Sequence, residues 1–198
     1  GAAGGPGVAK EAGNGSNDAG QAKPDFELPE EIVKMARSYF ARADEASRRT
    51  NYDYAIALYM DGLKFTPDDV ENGHRPLYET ALRQKAAGKK KSGASAFARI
   101  KANVLQMAGK KREAFFDLER AMTATPDNHL DLAALAQIAQ SLDWGKTAVF
   151  FAQRAMEAGQ RSGKLTGTLC VQMADILEAR GLYKEAMAAL QEAERLDK

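Results

Sequence analysis

The sequence contains little cysteine, histidine or proline, and each shortage excludes a class of protein. Cys170 is the only cysteine among 198 residues, which excludes an internal disulfide framework and a cysteine-rich zinc site. Neither His74 nor His129 has a second metal-binding side chain four residues further along, the spacing at which two ligands share a helix face. Six prolines are few for this length, and they favour a chain built from helices.

Long apolar runs are missing as well. Stretches such as 132–136 and 148–152 fall far short of the ~20 residues that a membrane-spanning helix needs. No signal peptide is visible. These features predict a cytoplasmic protein, and export or membrane tethering by a segment upstream of Gly1 is the alternative.

Motifs for catalysis or nucleotide binding are not found. Gly145-Lys146-Thr147 resembles the end of a phosphate-binding loop, but Gln140 stands where that loop needs its earlier glycine. Carboxylates are spread over helix faces, which fits solubility better than paired acid–base chemistry. Cys170 has no histidine near it in sequence, so a buried inert thiol is expected. We therefore predict no catalytic residue, no cofactor and no metal, and expect that the chain is not an enzyme.

Acidic residues are missing from one long segment. The net charge is +1, but residues 83–112 contain ten cations and no carboxylate, which leaves −9 for the rest. Such a segment attracts an acidic peptide, nucleic acid or an anionic surface, unless it is only a solvated loop. Phe97 is its only aromatic residue and is expected to pack internally, so the stacking that nucleic acids use is missing. An acidic protein is the preferred partner here. The predicted basic patch comprises Lys85, Lys89, Lys90, Lys91, Lys110, Lys111 and Arg112.

Helical periodicity begins after a segment rich in glycine and alanine. Residues 1–25 contain one branched aliphatic side chain, Val8, and are predicted to form a disordered tail, because they cannot bury enough apolar surface. From residue 26 onward the pattern predicts helices and no strand. The predicted helices are 30–49, 52–65, 74–87, 95–108, 111–124, 130–141, 145–158, 167–180 and 183–196.

One spacing of small residues recurs four times within these helices. Each copy has a small residue, then a hydrophobic or small residue four positions later, then a small residue three positions after that. Steps of four and three mark one helix face, and small side chains there let a neighbouring helix approach closely. The second and third copies lie 34 residues apart, and the third and fourth lie 38 apart. The copies are Ala55/Tyr59/Gly62, Ala114/Leu118/Ala121, Ala148/Ala152/Ala155 and Ala186/Leu190/Ala193.

This pattern resembles the tetratricopeptide repeat family, whose period is 34 residues. Segments 51–67, 109–126 and 181–193 are similar to the second helix of that repeat. The resemblance implies an all-α fold over residues 26–198, a right-handed α–α superhelix of about four helical hairpins. An extra helix and a basic loop interrupt it between repeats one and two, at about 70–94. The repeats are expected at about 36–69, 95–128, 129–162 and 167–198.

The resemblance also implies a function and a site. In the family the first helices line a concave groove that holds a peptide, so a scaffold or adaptor binding a peptide or protein without catalysis is predicted. An adaptor for nucleic acid or an anionic surface, using residues 83–112, is the alternative. A further alternative is that these polar residues form a solvated helix face that binds no partner, because every amphipathic helix has a polar side. The predicted groove residues are Arg99, Asn103, Gln106, Gln137, Gln140, Asp175 and Glu178.

Self-association is a further prediction. The last helix keeps Met187 and Leu190 on one side, where an uncapped end of a repeat array could contact another copy.

Overall fold

The structure, a computed structural model, describes residues 27–88 and 95–197, without the side chains of residues 95 and 96. All regular elements in these ranges are helical, which confirms the predicted all-α fold at that level. The predicted tail 1–25 and the lysines Lys89, Lys90 and Lys91 lie outside the described residues. The helices are α1 Glu30–Arg48, α2 Tyr52–Leu63, α3 Arg75–Ala86, α4 Ser95–Met107, α5 Lys111–Met122, α6 His129–Ser141, α7 Gly145–Arg161, α8 Gly167–Ala179 and α9 Tyr183–Leu196.

Consecutive helices pack in pairs. The extensive pairings are α1 with α2, α4 with α5, α6 with α7 and α8 with α9. From α4 onward each second helix also packs on the first helix of the next pair, and the first helices contact one another in order. We call α4–α9 the stack, with a first-helix layer of α4, α6 and α8 and a second-helix layer of α5, α7 and α9. The predicted repeat limits and the handedness of the superhelix stay predictions.

The small residues of the recurring spacing lie in the core, as close packing between neighbouring helices requires. Ala55, Ala114 and Ala148 are completely buried. At Gly62 an added Cβ would lie 2.5 Å from the Phe40 ring, so only glycine lets α1 and α2 approach this closely. Two residues of the spacing are exceptions. Ala121 is only half-buried, at a cleft between α2 and the helices α4 and α5, and Leu190 is exposed because no described helix covers that side of α9.

The extra helix packs against the second-helix layer. It begins with a π-helical turn, Val70–His74, that runs directly into α3. The ring of His74 contacts the edges of Phe115 on α5 and Phe151 on α7, with centroids 5.6 and 5.7 Å apart. Tyr78 on α3 contacts Phe150 on α7 in the same way. The unit α1–α3 is therefore docked on α5 and α7, which a simple insertion between two repeats did not predict.

A carboxylate from the first unit caps α7. Trp144 holds the N-cap position of α7 but makes no side-chain capping bond. The backbone N–H of Thr147 donates to Asp68 Oδ1 at 2.8 Å, and that of Lys146 donates to Asp68 Oδ2 at 3.4 Å. These bonds satisfy N–H groups that every helix start leaves without an intrahelical partner. Asp68 thus fixes the loop after α2 against the stack.

Candidate protein-binding surface

Three exposed polar side chains occupy equivalent positions on successive first helices. Asn103 on α4, Gln137 on α6 and Asp175 on α8 are separated by the same 34 and 38 residues as the repeat copies, and all three are exposed. Because the first helices are neighbours, these side chains form one line across the layer. We call it the polar row. Its two amides offer donors and acceptors, and its carboxylate offers acceptors.

Two further predicted groove residues, Gln106 and Gln140, make contacts inside the protein. Gln106 donates from Nε2 to Asn103 Oδ1 at 3.5 Å, a long contact. The Oε1 atom of Gln140 accepts from Arg180 Nε at 2.9 Å, so this side chain links α6 to the end of α8. Gln140 therefore has a structural contact, and its role in ligand binding stays a prediction. Glu178 is exposed.

Arg99 needs the clearest correction among the predicted groove residues. Its guanidinium forms an ion pair with Asp131, whose side chain is completely buried at the start of α6. The other oxygen of Asp131 accepts from the Thr125 hydroxyl at 3.3 Å. A buried carboxylate needs a cation beside it, because burial without a partner is strongly unfavourable. Arg99 therefore joins α4 to α6, and its Nη1 is engaged inside the protein.

A stripe of apolar side chains on α4 was missed by the sequence reading. Phe97, Ile100, Val104 and Met107 are 68%, 62%, 60% and 90% exposed and follow one another at steps of three and four residues. We call them the α4 stripe. The expectation that Phe97 packs internally is wrong. Phe97 stands at a cleft of about 470 Å³ that separates α2 from α4 and α5, so α2 does not cover α4 closely.

The predicted basic patch loses two of its members to internal contacts. Lys85 forms an ion pair with Asp127 and so lowers the pKa of that carboxyl. Arg112 donates from Nη2 to the carbonyl oxygen of Lys64 at 2.5 Å. The same guanidinium lies 5.6 and 5.7 Å from the ring centroids of Phe116 and Trp144.

Other cations of the segment have carboxylate neighbours contributed by α5. Lys101 pairs with Asp117 at 2.5 Å, and Lys110 lies 3.8 Å from Glu113. In the described part of this segment, Lys85, Lys101 and Lys110 therefore each lie beside a carboxylate. Lys111 is exposed.

Within the described ranges, the groups that could serve metal binding, nucleophilic attack or phosphate binding have surroundings that support the fold. No cluster of three or more histidine, cysteine, aspartate or glutamate residues is arranged there to hold a metal ion. Burial raises the pKa of the Cys170 thiol, which reduces the fraction present as the reactive thiolate. The N–H groups at the start of α7, where the sequence resembles a phosphate loop, are bonded to Asp68. Among residues 27–88 and 95–197, no helix has the length and apolar character needed to span a bilayer.

In comparisons with known proteins, this chain matches solved structures but no family model and no curated protein. One, described as the crystal structure of MamA protein, is 18% identical, and the match covers 83% of this chain and 92% of that chain with a TM-score of 0.45. A second, described as the crystal structure of MamA, is 16% identical, with 78% and 94% covered and a TM-score of 0.45. A similarity at this level does not identify a ligand.

Proposed function

We propose that this chain is a protein-binding scaffold that holds an extended segment of another protein along its first-helix layer. The observation that supports this proposal is the polar row, three exposed side chains at the repeat spacing on three neighbouring helices. Polar groups at a regular separation form hydrogen bonds to a peptide backbone, which fixes the orientation and register of the bound segment.

Exposed apolar side chains on α6 and α8 can supply apolar contacts to the ligand, which the polar row does not offer. Leu130 on α6 precedes Gln137 by seven residues, and Val171 on α8 precedes Asp175 by four. Both spacings place the two residues of a pair on one helix face. Leu130 is 47% exposed and Val171 is 42% exposed. Because buried apolar anchors contribute most of the affinity at protein interfaces, the preferred ligand is a segment that carries apolar side chains beside a free backbone.

Site-specific photocrosslinking tests the location of the ligand. A photoreactive phenylalanine is placed at Gln137 in one protein and at Asp175 in another, and each is irradiated in a lysate of the source cells. The matched control carries the same group at Gln160, an exposed position near the end of α7 in the second-helix layer. The proposal predicts that one common protein is captured at Gln137 and Asp175 and is not captured at Gln160. Equal capture at all three positions contradicts it.

A triple variant tests whether the polar row contributes to binding. Asn103→Ala, Gln137→Ala and Asp175→Ala are combined, while Arg99 is retained because it supports the fold. All three positions are exposed, so the melting temperature is expected to stay within a few degrees of the parent. Capture of the protein identified by crosslinking is expected to fall at least about tenfold. Unchanged capture by the folded variant argues against the row as the binding surface.

The alternative, an adaptor for nucleic acid or an anionic surface, has less structural support. Lys85, Arg99 and Lys101 each form an ion pair with a carboxylate, which reduces the charge available to a polyanion. The same three ion pairs weaken the case for an acidic protein partner. Retention on heparin that is lost between about 50 and 300 mM salt is the result that supports this alternative.

A further inference from the structure

Two uncovered apolar stripes lie on the first and last helices of the stack. The α4 stripe is described above. On α9, Tyr183, Met187 and Leu190 are 67%, 56% and 40% exposed and follow one another at steps of four and three residues. We call them the α9 stripe. Inside a repeat stack, the apolar side of one hairpin is covered by the next hairpin. The two stripes lie at the ends of the stack, where that neighbour is missing from the described residues.

Local contacts explain why each stripe is uncovered. The buried side of α9 is made of the small residues Ala186, Ala189 and Ala193. Ala186 and Ala189 belong to a cluster with side chains of α8, its partner in the hairpin, and of α7. No described helix packs on the other side, where the α9 stripe lies. At the opposite end, the docking of α1–α3 on α5 and α7 leaves α2 separated from α4 by the cleft at Phe97.

The hairpins that carry the two stripes have opposite charge. Residues 95–122 contain six cations and three carboxylates, a net charge of +3, and residues 167–197 contain three cations and six carboxylates, a net charge of −3. Contact between an α4–α5 hairpin and an α8–α9 hairpin therefore brings opposite charges together. Contact between two identical hairpins brings together two like charges and is opposed by repulsion.

We propose that copies of this chain associate head to tail, with the α4 stripe of one copy packed against the α9 stripe of the next. The contact is heterologous, since each copy contributes a different surface, so repetition gives a ring if the rotation closes and a linear chain if it does not. This inference does not depend on the ligand of the polar row. Seven exposed apolar side chains make a modest interface, so the association is concentration-dependent.

Sedimentation velocity of the full chain is the first test. The proposal predicts that the weight-average sedimentation coefficient rises as the protein concentration is increased from about 5 to 500 µM. The rise is expected to be smaller at about 500 mM than at about 50 mM salt, because screening weakens the attraction between the hairpins. A monomer at every concentration in low salt overturns the proposal.

A complementation experiment distinguishes head-to-tail contact from symmetric contact. One variant combines Ile100→Gln with Val104→Gln, and the other combines Met187→Gln with Leu190→Gln; glutamine keeps the net charge and favours helix. All four positions are exposed, so both variants are expected to unfold at the parent's temperature. Each variant alone is expected to be monomeric. Their equimolar mixture is expected to form a one-to-one dimer and nothing larger, because each partner retains one intact surface.

Other outcomes of the complementation experiment overturn the inference in identifiable ways. If the α9 variant alone still forms a dimer, the contact pairs two α4 stripes. If the α4 variant alone still forms a dimer, the contact pairs two α9 stripes. If both variants associate as the parent does, neither stripe forms the interface. If the mixture stays monomeric while the parent associates, the α4 stripe of one copy does not pair with the α9 stripe of another. If a double variant unfolds at a lower temperature than the parent, its two single substitutions are tested instead. If both single variants associate as strongly as the parent, the inference is also overturned.

Discussion

His74 Nδ1 lies 2.6 Å from Glu119 Oε1, and both side chains are completely shielded from solvent. The other ring nitrogen, Nε2, lies 2.8 Å from the carbonyl oxygen of Pro67, which can only accept a hydrogen bond. Nε2 therefore carries a hydrogen, and Nδ1 faces a carboxylate. We assign the pair as imidazolium and carboxylate, which joins the π-helical turn before α3 to α5 in the second-helix layer.

Breaking this pair is predicted to destabilise the protein strongly. His74→Leu or Glu119→Leu leaves one buried partner without its counterpart, and we expect each to lower the free energy of unfolding by about 3–5 kcal/mol. Urea unfolding followed by circular dichroism measures the change. The double variant His74→Leu/Glu119→Leu serves as the control, and we expect it to lose clearly less than the sum of the two single losses. Additive losses would show that the two side chains do not interact.

The stability of the protein is predicted to fall as the pH rises above the ordinary range of histidine. Desolvation lowers the pKa of His74, but the charge and hydrogen bond of Glu119 and the Pro67 carbonyl together raise it above 6.5. A raised pKa in the folded state means that the contribution is fully present below about pH 6.5 and is lost as the pH passes through the folded value. Urea unfolding at a series of pH values from about 6 to 9 measures this loss.

His129 gives the opposite pH dependence of stability, so it must be replaced before the contribution of His74 is measured. Burial and the charges of Lys164 and Arg99 lower the pKa of His129, so its contribution is lost as the pH falls. We therefore compare His129→Asn with His74→Leu/Glu119→Leu/His129→Asn, so that the second variant contains no buried carboxylate without its cation. The decline is expected in the first variant only. An equal decline in both would assign the pH dependence to other groups.

Removal of the cap on α7 is predicted to weaken the docking of the first unit. Asp68→Ala deletes both acceptors for the N–H groups of Thr147 and Lys146, and a loss of about 1–2 kcal/mol is expected. Asp68→Asn keeps one acceptor and should lose less. Asp61→Ala is the matched control, because Asp61 makes only an exposed ion pair with Lys64, for which about 0.5 kcal/mol or less is expected. Equal losses at the two positions would contradict a capping role.

Arg99 and Asn103 are predicted to behave differently although they lie one helical turn apart on α4. Arg99→Ala leaves Asp131 buried without its cation, and because Arg99 is itself partly exposed we expect a loss of about 2–3 kcal/mol. Asn103→Ala is expected to change stability by less than about 0.5 kcal/mol. Thermal unfolding compares the two. A large loss in Asn103→Ala would place that residue in the fold and remove it from the polar row.

The helices and their packed faces could be predicted from sequence because they depend on neighbouring residues. The steps of three and four that contain Ala114 and Ala148 identify a buried face without any knowledge of what covers it. The contacts of Asp68 and Arg99 depend on residues far away in sequence, and no local pattern encodes them. Phe97 was misplaced for a related reason, since an aromatic side chain packs internally only where a neighbouring helix covers it.

The proposed binding surface was predictable to a similar extent. The repeat spacing locates Asn103, Gln137 and Asp175 on equivalent turns, which sequence periodicity can do. It cannot show that Gln140 is bonded to Arg180, because that bond joins residues 40 positions apart. The α4 stripe had a usable signal in its spacing, but only the position of α1–α3 shows that it is uncovered.

The bond between Asp68 and Thr147 spans 79 residues, which has a consequence for how the chain folds. In a regular repeat array every contact is local, so folding starts at any hairpin and spreads to its neighbours. Here the contact between Asp68 and Thr147 closes a loop of 79 residues, and closing so long a loop is entropically unfavourable. Slower, more cooperative folding than that of a regular array of equal length is therefore expected, with the amino-terminal unit among the last parts to become protected from hydrogen exchange.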